Sequence, residues 1–194
     1  QTIINDLLDF SKIESGRMEL EEIPFQLKEE VEHAIYSYRI ASREKGLSLE
    51  LEYQEDLPRR FIGDPFRLKQ VLTNLISNAI KFTQEGTVRV SVERVRQRMG
   101  LNILLFTVED SGIGIPNSKI QKIFESFTQA DTSTTRKFGG TGLGTSISKQ
   151  LVELMGGEIW AESPSSLSLS EDYPGSKFIC TVELYSDEKR QKKL

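Results

Sequence analysis

Residues 101–115 read LNILLFTVEDSGIGI, an apolar run that ends in Asp110 and a turn with two glycines. The apolar character of the run from Leu101 to Glu109 predicts a central strand of a sheet. The sharp turn after it can present the Asp110 carboxylate at the sheet edge. An ionised carboxylate only accepts hydrogen bonds, so it suits a donor such as an exocyclic amine. Taken alone, the block is equally compatible with an aspartate that caps a glycine turn.

The stretch before these strands predicts a long amphipathic helix. An acidic residue followed by Pro65 suits a helix start, and apolar residues at helical spacing supply the buried face. Asn74, Asn78 and Lys81 recur at i, i+4 and i+7 and therefore share another face. A buried amide is costly without a partner, so this polar face favours ligand binding over a solvated stripe.

A glycine-rich segment, GGTGLG at residues 139–144, stands immediately before another predicted helix. Glycines let backbone amides approach phosphate oxygens, and a helix N-terminus adds partial positive charge. Arg136 and Lys137 could reach terminal phosphates, although exposed cations in a loop are commonly only solvated. Taken alone, the segment is as compatible with a plain tight turn as with a phosphate site.

The periodicity of the whole chain predicts a two-layer α/β (α+β) sandwich, with a mixed β-sheet and helices packed on one face. Residues 25–185 form the predicted domain, with a helix at 1–18 and a linker at 19–24 before it and a charged tail at 186–194 after it. Residues 116–144 show little regular pattern and predict a mobile lid. The predicted helices are 1–18, 27–45, 65–83 and 146–155, and the predicted strands are 47–53, 87–95, 101–109, 157–162 and 176–184.

Composition and charge disfavour several classes of protein. The net charge is −4 and no stripe of Lys and Arg interleaved with aromatics is present, which argues against nucleic-acid binding. No apolar run approaches the ~18 residues of a membrane helix, so no membrane contact is expected of this chain. Cys180, the single cysteine, is interpreted as a buried inert thiol, and the composition suits a reducing cytosol. A start at Gln1 in mid-helix pattern suggests a piece of a longer protein.

Four blocks follow one another in a fixed order, Asn74–Thr83, Asp110–Ile115, Phe124–Phe127 and Gly139–Gly144. This order of N, G1, F and G2 boxes resembles the ATP-binding catalytic domain of sensor histidine kinases, within the superfamily that includes DNA gyrase and mismatch-repair ATPases. The resemblance covers Gln1 to about Leu184. It implies a Bergerat-type ATP-binding fold with an N-terminal helical segment, and a lid anchored by the F box.

The resemblance also implies a role for each matching residue. Asp110 would accept a hydrogen bond from the adenine amine, and Phe82 would flank the base. Asn78 would coordinate Mg²⁺ through its amide oxygen, Asn74 would lie near the phosphates, and Lys81 would neutralise them. One amide oxygen together with phosphate oxygens and waters is sufficient for Mg²⁺. The nucleotide-binding residues implied are Asn74, Asn78, Lys81, Phe82, Asp110, Gly112, Gly114, Ile115, Phe127, Arg136, Lys137, Gly140, Thr141, Gly142, Leu143 and Gly144.

The residue at position 74 bears on the reaction. Related ATPases have a glutamate one helical turn before the metal-binding asparagine, where this chain has Asn74. An amide cannot act as a general base, which favours phosphoryl transfer to an outside acceptor over hydrolysis. In the resembled kinases the acceptor is a histidine on the first of two dimerisation helices, whereas residues 1–18 resemble the end of the second. His33, the only histidine, matches no acceptor, so we expect ATP binding with little self-labelling.

The sequences at residues 9–14 and 127–129 are most similar to those of hybrid sensor kinases, which carry receiver domains. The implied partners are therefore the dimerisation and phosphoacceptor domain of the same protein, and a receiver domain or response regulator. A homodimer is expected of the full-length protein. A cytoplasmic location is expected of this chain, and a membrane anchor elsewhere in the full-length protein is compatible with it. Thr145 departs from the family, which often has a larger apolar residue there, and it could cap the following helix. The alternatives are a degenerate regulatory or dimerisation module and a gyrase-like ATP hydrolase.

Overall fold

Seven strands form one mixed sheet within residues 2–125 and 142–187, which the computed structural model describes. They are β1 (Ile23–Gln26), β2 (Ser48–Tyr53), β3 (Arg60–Gly63), β4 (Thr87–Arg98), β5 (Leu101–Asp110), β6 (Ile159–Glu162) and β7 (Ser176–Ser186). Their order is β1-β3-β7-β5-β4-β2, and β6 pairs with the same edge of β7 as β3. The β2–β4 pair is parallel and the other pairs are antiparallel.

The helices that build the core lie on one face of this sheet. The helices are α1 (Thr2–Glu14), α2 (Leu27–Tyr36), α3 (Arg39–Glu44), α4 (Pro65–Phe82) and α5 (Gly144–Leu154), with a 3-10 turn at Lys122–Phe124. Alternate residues of β4, such as Val88 and Val90, and of β5, such as Leu104 and Phe106, join one hydrophobic core with residues of α2, α4 and α5. The predicted two-layer sandwich and the N-terminal helix are confirmed.

Both ends of α4 are capped by polar contacts. At its start Asp64 Oδ1 accepts from the backbone N–H of Arg67 at 3.0 Å, and Pro65 occupies the first turn, where no N–H is needed. At its end Lys45 Nζ donates to the carbonyl of Ile80 at 2.7 Å. A cation at a helix C-terminus complements the helix dipole. These contacts hold the polar face of α4 in a defined position.

A partly buried ion pair attaches α1 to α4. Arg67 Nη1 lies 2.8 Å from Asp9 Oδ2, and both side chains are largely removed from solvent. The helix is shorter than the predicted span of 1–18, because Gly16 adopts a φ of 64° that ends it. The N-terminal segment is therefore fixed to the domain by a polar contact as well as by packing.

The prediction of one helix over residues 27–45 is wrong, because the chain breaks there into α2 and α3. Ser37 Oγ donates back to the carbonyl of His33 at 3.0 Å, and the N–H of Tyr38 bonds to the carbonyl of Ile35 at 3.0 Å. A serine hydroxyl that competes for backbone carbonyls favours a turn over a continued helix. The apolar spacing continued through this turn and concealed it.

The prediction missed two short strands, β1 and β3. The predicted linker at 19–24 runs into β1 at Ile23, which pairs with Gly63 of β3. Four residues are too few to show an alternating pattern, and Pro24 argues against a strand except at the edge of a sheet, which is where β1 lies. The other predicted strands and helices are present, with ends that differ by a few residues.

Other predictions concern single residues or segments. Cys180 is fully buried in β7, as predicted, and burial raises the pKa of its thiol to about 12. Most of the predicted lid, residues 126–141, and most of the tail, residues 188–194, lie outside the described residues. Among the helices that are described, none has the length and apolar character to cross a membrane.

Candidate nucleotide-binding site

The polar face of α4 lies against the start of α5. Asn74 is half-buried, and its Nδ2 donates to Ser148 Oγ at 2.9 Å. Gly144, the first residue of α5, approaches so closely that an added Cβ would overlap Asn74 Oδ1 and lie 3.0 Å from Asn74 Cγ. Only glycine fits at residue 144 without displacing Asn74. Two of the predicted blocks, distant along the chain, are thus in direct contact.

One turn further along α4, Asn78 presents a second amide on the same face. It is half-buried, and among residues 2–125 and 142–187 its side chain has no hydrogen-bond partner. Lys81 follows, with its Nζ 4.9 Å from the centroid of the Phe82 ring. Burial lowers the pKa of the Lys81 ammonium, which shows a cation partly withdrawn from water. An anionic ligand at this position would raise that pKa and favour the charged form.

Asp110 ends β5 as a buried carboxyl group that already has three donors. Its Oδ1 accepts from the N–H of Gly112 at 2.8 Å and from the N–H of Ser176 at 3.3 Å, and its Oδ2 accepts from Ser176 Oγ at 2.5 Å. Burial raises the pKa of the Asp110 carboxyl, the hydrogen bonds from Ser176 and Gly112 act in the opposite direction, and the nearby charge of Glu109 raises it further. The donors favour the ionised form against the cost of burial.

The turn after Asp110 packs on the end of α4. The N–H of Ile113 bonds to the carbonyl of Phe82 at 3.4 Å, and a Cβ at residue 112 would overlap that same carbonyl oxygen. Gly114 has a φ of 67°, and an added Cβ there would lie 2.8 Å from Ser163 Oγ. The two glycines of the turn are therefore required by close approach, which also places Phe82 beside Asp110.

Serines from the segment between β6 and β7 hold this turn from the other side. Ser163 Oγ accepts from the N–H of Ile115 at 3.1 Å, and Ser165 Oγ donates to the backbone carbonyl of Asp110 at 2.7 Å. The N–H of Gly175 bonds to the carbonyl of Gly112 at 2.8 Å. The segment predicted only as a surface loop is thus part of the frame around Asp110.

The start of α5 connects to the F box. Gly142 has a φ of 69°, and Leu143 is buried in the core with 3% of its surface exposed. Thr145 Oγ1 donates to the carbonyl of Ile123 in the 3-10 turn, so this departure from the family pattern ties α5 to the F box. Phe124 packs edge-to-face on Phe178 of β7, with ring centroids 6.2 Å apart. Core packing therefore accounts for Phe124 directly.

The structure brings the predicted residues of α4, the Asp110 turn and the start of α5 into one connected region. Sequence analysis missed Ser148, Ser165 and Ser176, which support Asn74 and Asp110. Nothing local in the sequence marks these serines, because each contact depends on pairing between distant elements. The predicted residues that lie outside the described residues are Phe127, Arg136, Lys137, Gly140 and Thr141.

A family match covers this region. Residues 63–186 match the family described as histidine kinase-, DNA gyrase B-, and HSP90-like ATPases. The matched span contains α4, the Asp110 turn and α5. It also contains the serines that hold Asp110.

Individual relatives extend the match toward the N-terminus. The sensor histidine kinase GacS of Pseudomonas protegens is 42% identical over 191 residues, which cover 91% of this chain and 21% of that protein. The signal transduction histidine-protein kinase BarA of Escherichia coli is 45% identical over 157 residues, which cover 81% of this chain and 17% of that protein. The chain therefore spans about a fifth of the length of these curated relatives.

Solved structures show the same fold. The crystal structure of full-length ShkA in complex with AMPPNP has a TM-score of 0.78 at 26% sequence identity, covering 95% of this chain and 36% of the ShkA chain. The family match, the relatives and the fold agree with the contacts among the N, G1 and G2 blocks. The chain belongs to the histidine kinase-, DNA gyrase B- and HSP90-like ATPase family, as an ATP-binding catalytic domain of the sensor histidine kinase type.

Proposed function

We propose that this chain binds Mg²⁺-ATP between α4 and α5 and delivers the γ-phosphoryl group to a histidine elsewhere in the full protein. One observation carries the proposal. The buried Asp110 carboxyl lies beside the C-terminal end of α4, while Asn74, two turns earlier on that helix, touches the start of α5. A helix rises about 1.5 Å per residue, so residues 74 and 82 are about 12 Å apart along α4. This length accommodates a base at one end and phosphates at the other.

The base is held at the Asp110 end. The Asp110 carboxylate accepts a hydrogen bond from the exocyclic amine of adenine, an acceptor-only group meeting a donor. Phe82 flanks the ring, and Gly112 lets the turn after Asp110 pack closely on the Phe82 carbonyl. Ile115, half-buried against the core, contributes apolar surface. These contacts favour adenine over bases that lack an amine at that position.

The phosphates are held at the α5 end. The backbone of Gly142, Leu143 and Gly144 leads into the helix N-terminus, which attracts negative charge. Lys81 lies on the last turn of α4, next to Phe82, and its long side chain supplies a cation toward the phosphates, where an anion would raise its lowered pKa. Four further residues, together with Phe127 of the F box, contribute from the segment outside the described residues. They are Arg136, Lys137, Gly140 and Thr141.

A magnesium ion fits the Asn78 amide rather than a carboxylate cluster. Among the described residues no group of three or more His, Cys, Asp or Glu side chains could hold a metal. Asn78 offers a half-buried amide oxygen on the polar face of α4, and Mg²⁺ accepts a few protein oxygens together with phosphate oxygens and waters. When bound, the ion would neutralise charge on the transferring phosphoryl group.

Transfer to a protein acceptor is favoured over hydrolysis by the residues of α4. The helix contains no Asp or Glu, and the Asn74 amide is already bonded to Ser148. An amide cannot remove a proton from water, and α4 has no carboxylate that could do so. The helix therefore supplies no general base for hydrolysis. A histidine imidazole attacks phosphorus through its own lone pair and needs no such base on α4. The chain's role is therefore to bind and orient the nucleotide.

The partners follow from this role. The acceptor histidine belongs to the dimerisation and phosphoacceptor domain of the same protein, and the phosphoryl group then passes to an aspartate of a receiver domain or response regulator. The full protein acts as a homodimer, and this domain works in the cytoplasm, where ATP is available. Residues 1–18 contain the end of the second dimerisation helix, of which Thr2–Glu14 is helical, and residues 25–185 form the catalytic domain.

Calorimetric titration tests the binding step. ADP and a non-hydrolysable ATP analogue are titrated into the chain with and without Mg²⁺. We expect saturable binding by both, tighter with Mg²⁺. Failure of the folded chain to bind either nucleotide would reject the proposal in favour of a regulatory module.

A transfer assay tests the reaction. The chain is mixed with γ-labelled ATP and a separately produced dimerisation domain of GacS that contains its histidine. We expect acid-labile label on that domain and little on this chain. Steady release of free phosphate without the acceptor domain would instead show an ATP hydrolase.

A further inference from the structure

The helix-free face of the sheet carries an apolar strip at the end where β4 turns into β5. Strand pairing aligns Arg98, Leu101, Tyr185, Ile62 and Pro24 across β4, β5, β7, β3 and β1. Directly opposed residues of paired strands share one face. The four apolar members of the row do not belong to the core on the other face, and Tyr185 is 56% exposed. The row is therefore an apolar surface that lies outside the hydrophobic core of the domain.

A second row on the same face adds charges of opposite sign. Arg96 of β4 pairs with Ile103 of β5, which pairs with Glu183 of β7. The cation and the carboxylate lie on either side of the central isoleucine. Within residues 2–125 and 142–187 neither Arg96 nor Glu183 forms a salt bridge. Both charges are available to a partner.

The opposite end of the same face is covered by the chain itself. Thr107, Glu109 and Ile179 are each less than 9% exposed there. The N–H of Ser166, in the segment between β6 and β7, donates to Glu109 Oε1 at 2.6 Å. The chain itself therefore covers the central strands of this face at the end away from the hairpin.

The hairpin enlarges this surface. Val95, at the irregularity in the β4–β5 pairing, is 61% exposed, and Met99 at the tip is 84% exposed. A contiguous exposed apolar surface bordered by charges is typical of a protein interaction site.

We propose that this surface is a homotypic docking site, on which a second copy of the chain packs face to face about a two-fold axis parallel to β5. An axis of this kind that passes through Ile103 places Ile103 of one copy against Ile103 of the other. It also places Arg96 of each copy over Glu183 of the other, so that the ion pair forms twice. Arg98 is placed over the Tyr185 ring, where a guanidinium is favourable. Two-fold interfaces require this self-complementarity, and sheets pack face to face about 10 Å apart.

The arrangement of charges favours a second copy over an anionic membrane. A uniformly anionic membrane surface would attract Arg96 and Arg98. It would repel Glu183, which stands in the same row as Arg96. Strands lie about 4.8 Å apart, and an axis through β5 opposes β4, β5 and β7 of the two copies over a width of about 10 Å, which is small for a protein interface. The association is therefore weak, and it brings together domains that are already at high local concentration.

Sedimentation equilibrium tests this docking. The chain is studied from about 10 µM to about 1 mM, where small interfaces dissociate. Leu7→Gln and Leu8→Gln are introduced throughout, because these residues of α1 are 52% and 55% exposed and could associate independently. We expect a reversible dimer. Monomer at every concentration would overturn the proposal.

A charge exchange tests the geometry. Arg96→Glu or Glu183→Arg alone should raise the dissociation constant about tenfold or more, because each change creates two like-charge contacts per dimer. The double variant should return it to within a few-fold of the unchanged protein. Lys149→Glu changes an exposed residue of α5 by the same charge, away from the strip, and should have no effect. Dimerisation insensitive to both single changes, or binding to vesicles of phosphatidylcholine and phosphatidylserine without self-association, would overturn the proposal.

Discussion

Asp110 and Asn78 differ in how far the protein has prepared them for a ligand. Asp110 is buried and accepts three hydrogen bonds from the protein, whereas Asn78 is half-buried and its side chain has no hydrogen-bond partner among the described residues. The carboxylate is therefore fixed before a base arrives. In the proposed site the amide is fixed only when a metal and phosphates bind. The base end of the proposed site is preorganised, and the phosphate end is completed by the ligand.

This preparation has a cost at the base end. Burial raises the pKa of Asp110, so the ionised form that recognises an amine is the form that burial disfavours. Functional sites commonly lower the free energy of unfolding in return for activity. No comparable cost arises at Asn78, which has no charge to desolvate. Substitutions at the two ends should therefore have different signatures in stability and in binding.

Asp110→Asn should have the largest effect on nucleotide affinity. Loss of a hydrogen bond to a charged acceptor costs about 1.5–3 kcal/mol, or about 10- to 150-fold in the dissociation constant for ADP. The fold should not lose stability, because an amide resembles the neutral carboxyl that burial favours. Titration calorimetry and thermal unfolding measure the two effects. Asp56→Asn, an exposed carboxylate paired with Arg94, is the control and should leave affinity unchanged.

The pH dependence has a definite sign. A carboxyl group whose pKa is raised in the folded state stabilises the protein below its unfolded pKa, and that contribution is lost as the pH rises through the folded pKa. The unmodified chain should therefore lose stability relative to Asp110→Asn as the pH rises from about 4 toward neutral. Equal ADP affinity in both proteins would reject the base-recognition role of Asp110.

The same two ends show what sequence analysis could and could not predict. Asp110 and its glycine turn are adjacent in sequence, so the presentation of a carboxylate at a strand end is a local inference. Ser176 is 66 residues away and meets Asp110 only because β5 and β7 pair in that register. Ser148 meets Asn74 through packing of α5 on α4. Such contacts depend on tertiary structure and leave no local pattern.

The fold shows the same limit. The long amphipathic pattern of α4 and the apolar run of β5 predicted their positions well. The break between α2 and α3 was missed because apolar spacing continues across Ser37 and Tyr38. Strands β1 and β3 were missed because four residues carry too little periodicity, and their pairing is decided by the sheet.

Gly144→Ala should have the next largest effect and act at the phosphate end. In an open helix alanine stabilises by about 0.5–1 kcal/mol relative to glycine, but here its Cβ overlaps the Asn74 amide. Overpacking of this kind costs about 1–3 kcal/mol of unfolding free energy. Urea unfolding measures it. Asn74→Ala added to Gly144→Ala should recover part of the loss, whereas stabilisation by Gly144→Ala alone would contradict the contact.

Asn78→Ala should weaken ADP binding about tenfold with Mg²⁺ present and have little effect without it. The reason is that the amide oxygen acts through the metal rather than on the base. Calorimetric titrations with Mg²⁺ and with a chelator separate the two conditions. Ser77→Ala, which removes a hydroxyl bonded to the Asn74 carbonyl on the same helix, is the control. An equal loss in both conditions would show that Asn78 does not act through a metal.

Ser176→Ala should have the smallest effect and the most specific signature. It removes the hydroxyl donor to Asp110 Oδ2 but keeps the backbone donor to Oδ1. Because the hydroxyl lowers the pKa of Asp110, its loss should raise that pKa further. Binding requires the ionised carboxylate, so affinity is lost as the pH falls through this pKa, and the acid limb of the ADP-binding profile should move to higher pH. Affinity at neutral pH should fall only a few-fold.

Ser165→Ala is the matched control for this change. Ser165 Oγ donates to the backbone carbonyl of Asp110 and not to its carboxyl group. Its removal leaves a buried carbonyl without this donor and should cost about 1–3 kcal/mol of stability. The acid limb should stay in place, because the carboxylate keeps all three of its own donors. A shift of equal size in both variants would mean that the serines support the turn as a whole, and the preparation of Asp110 would then be steric and not electrostatic.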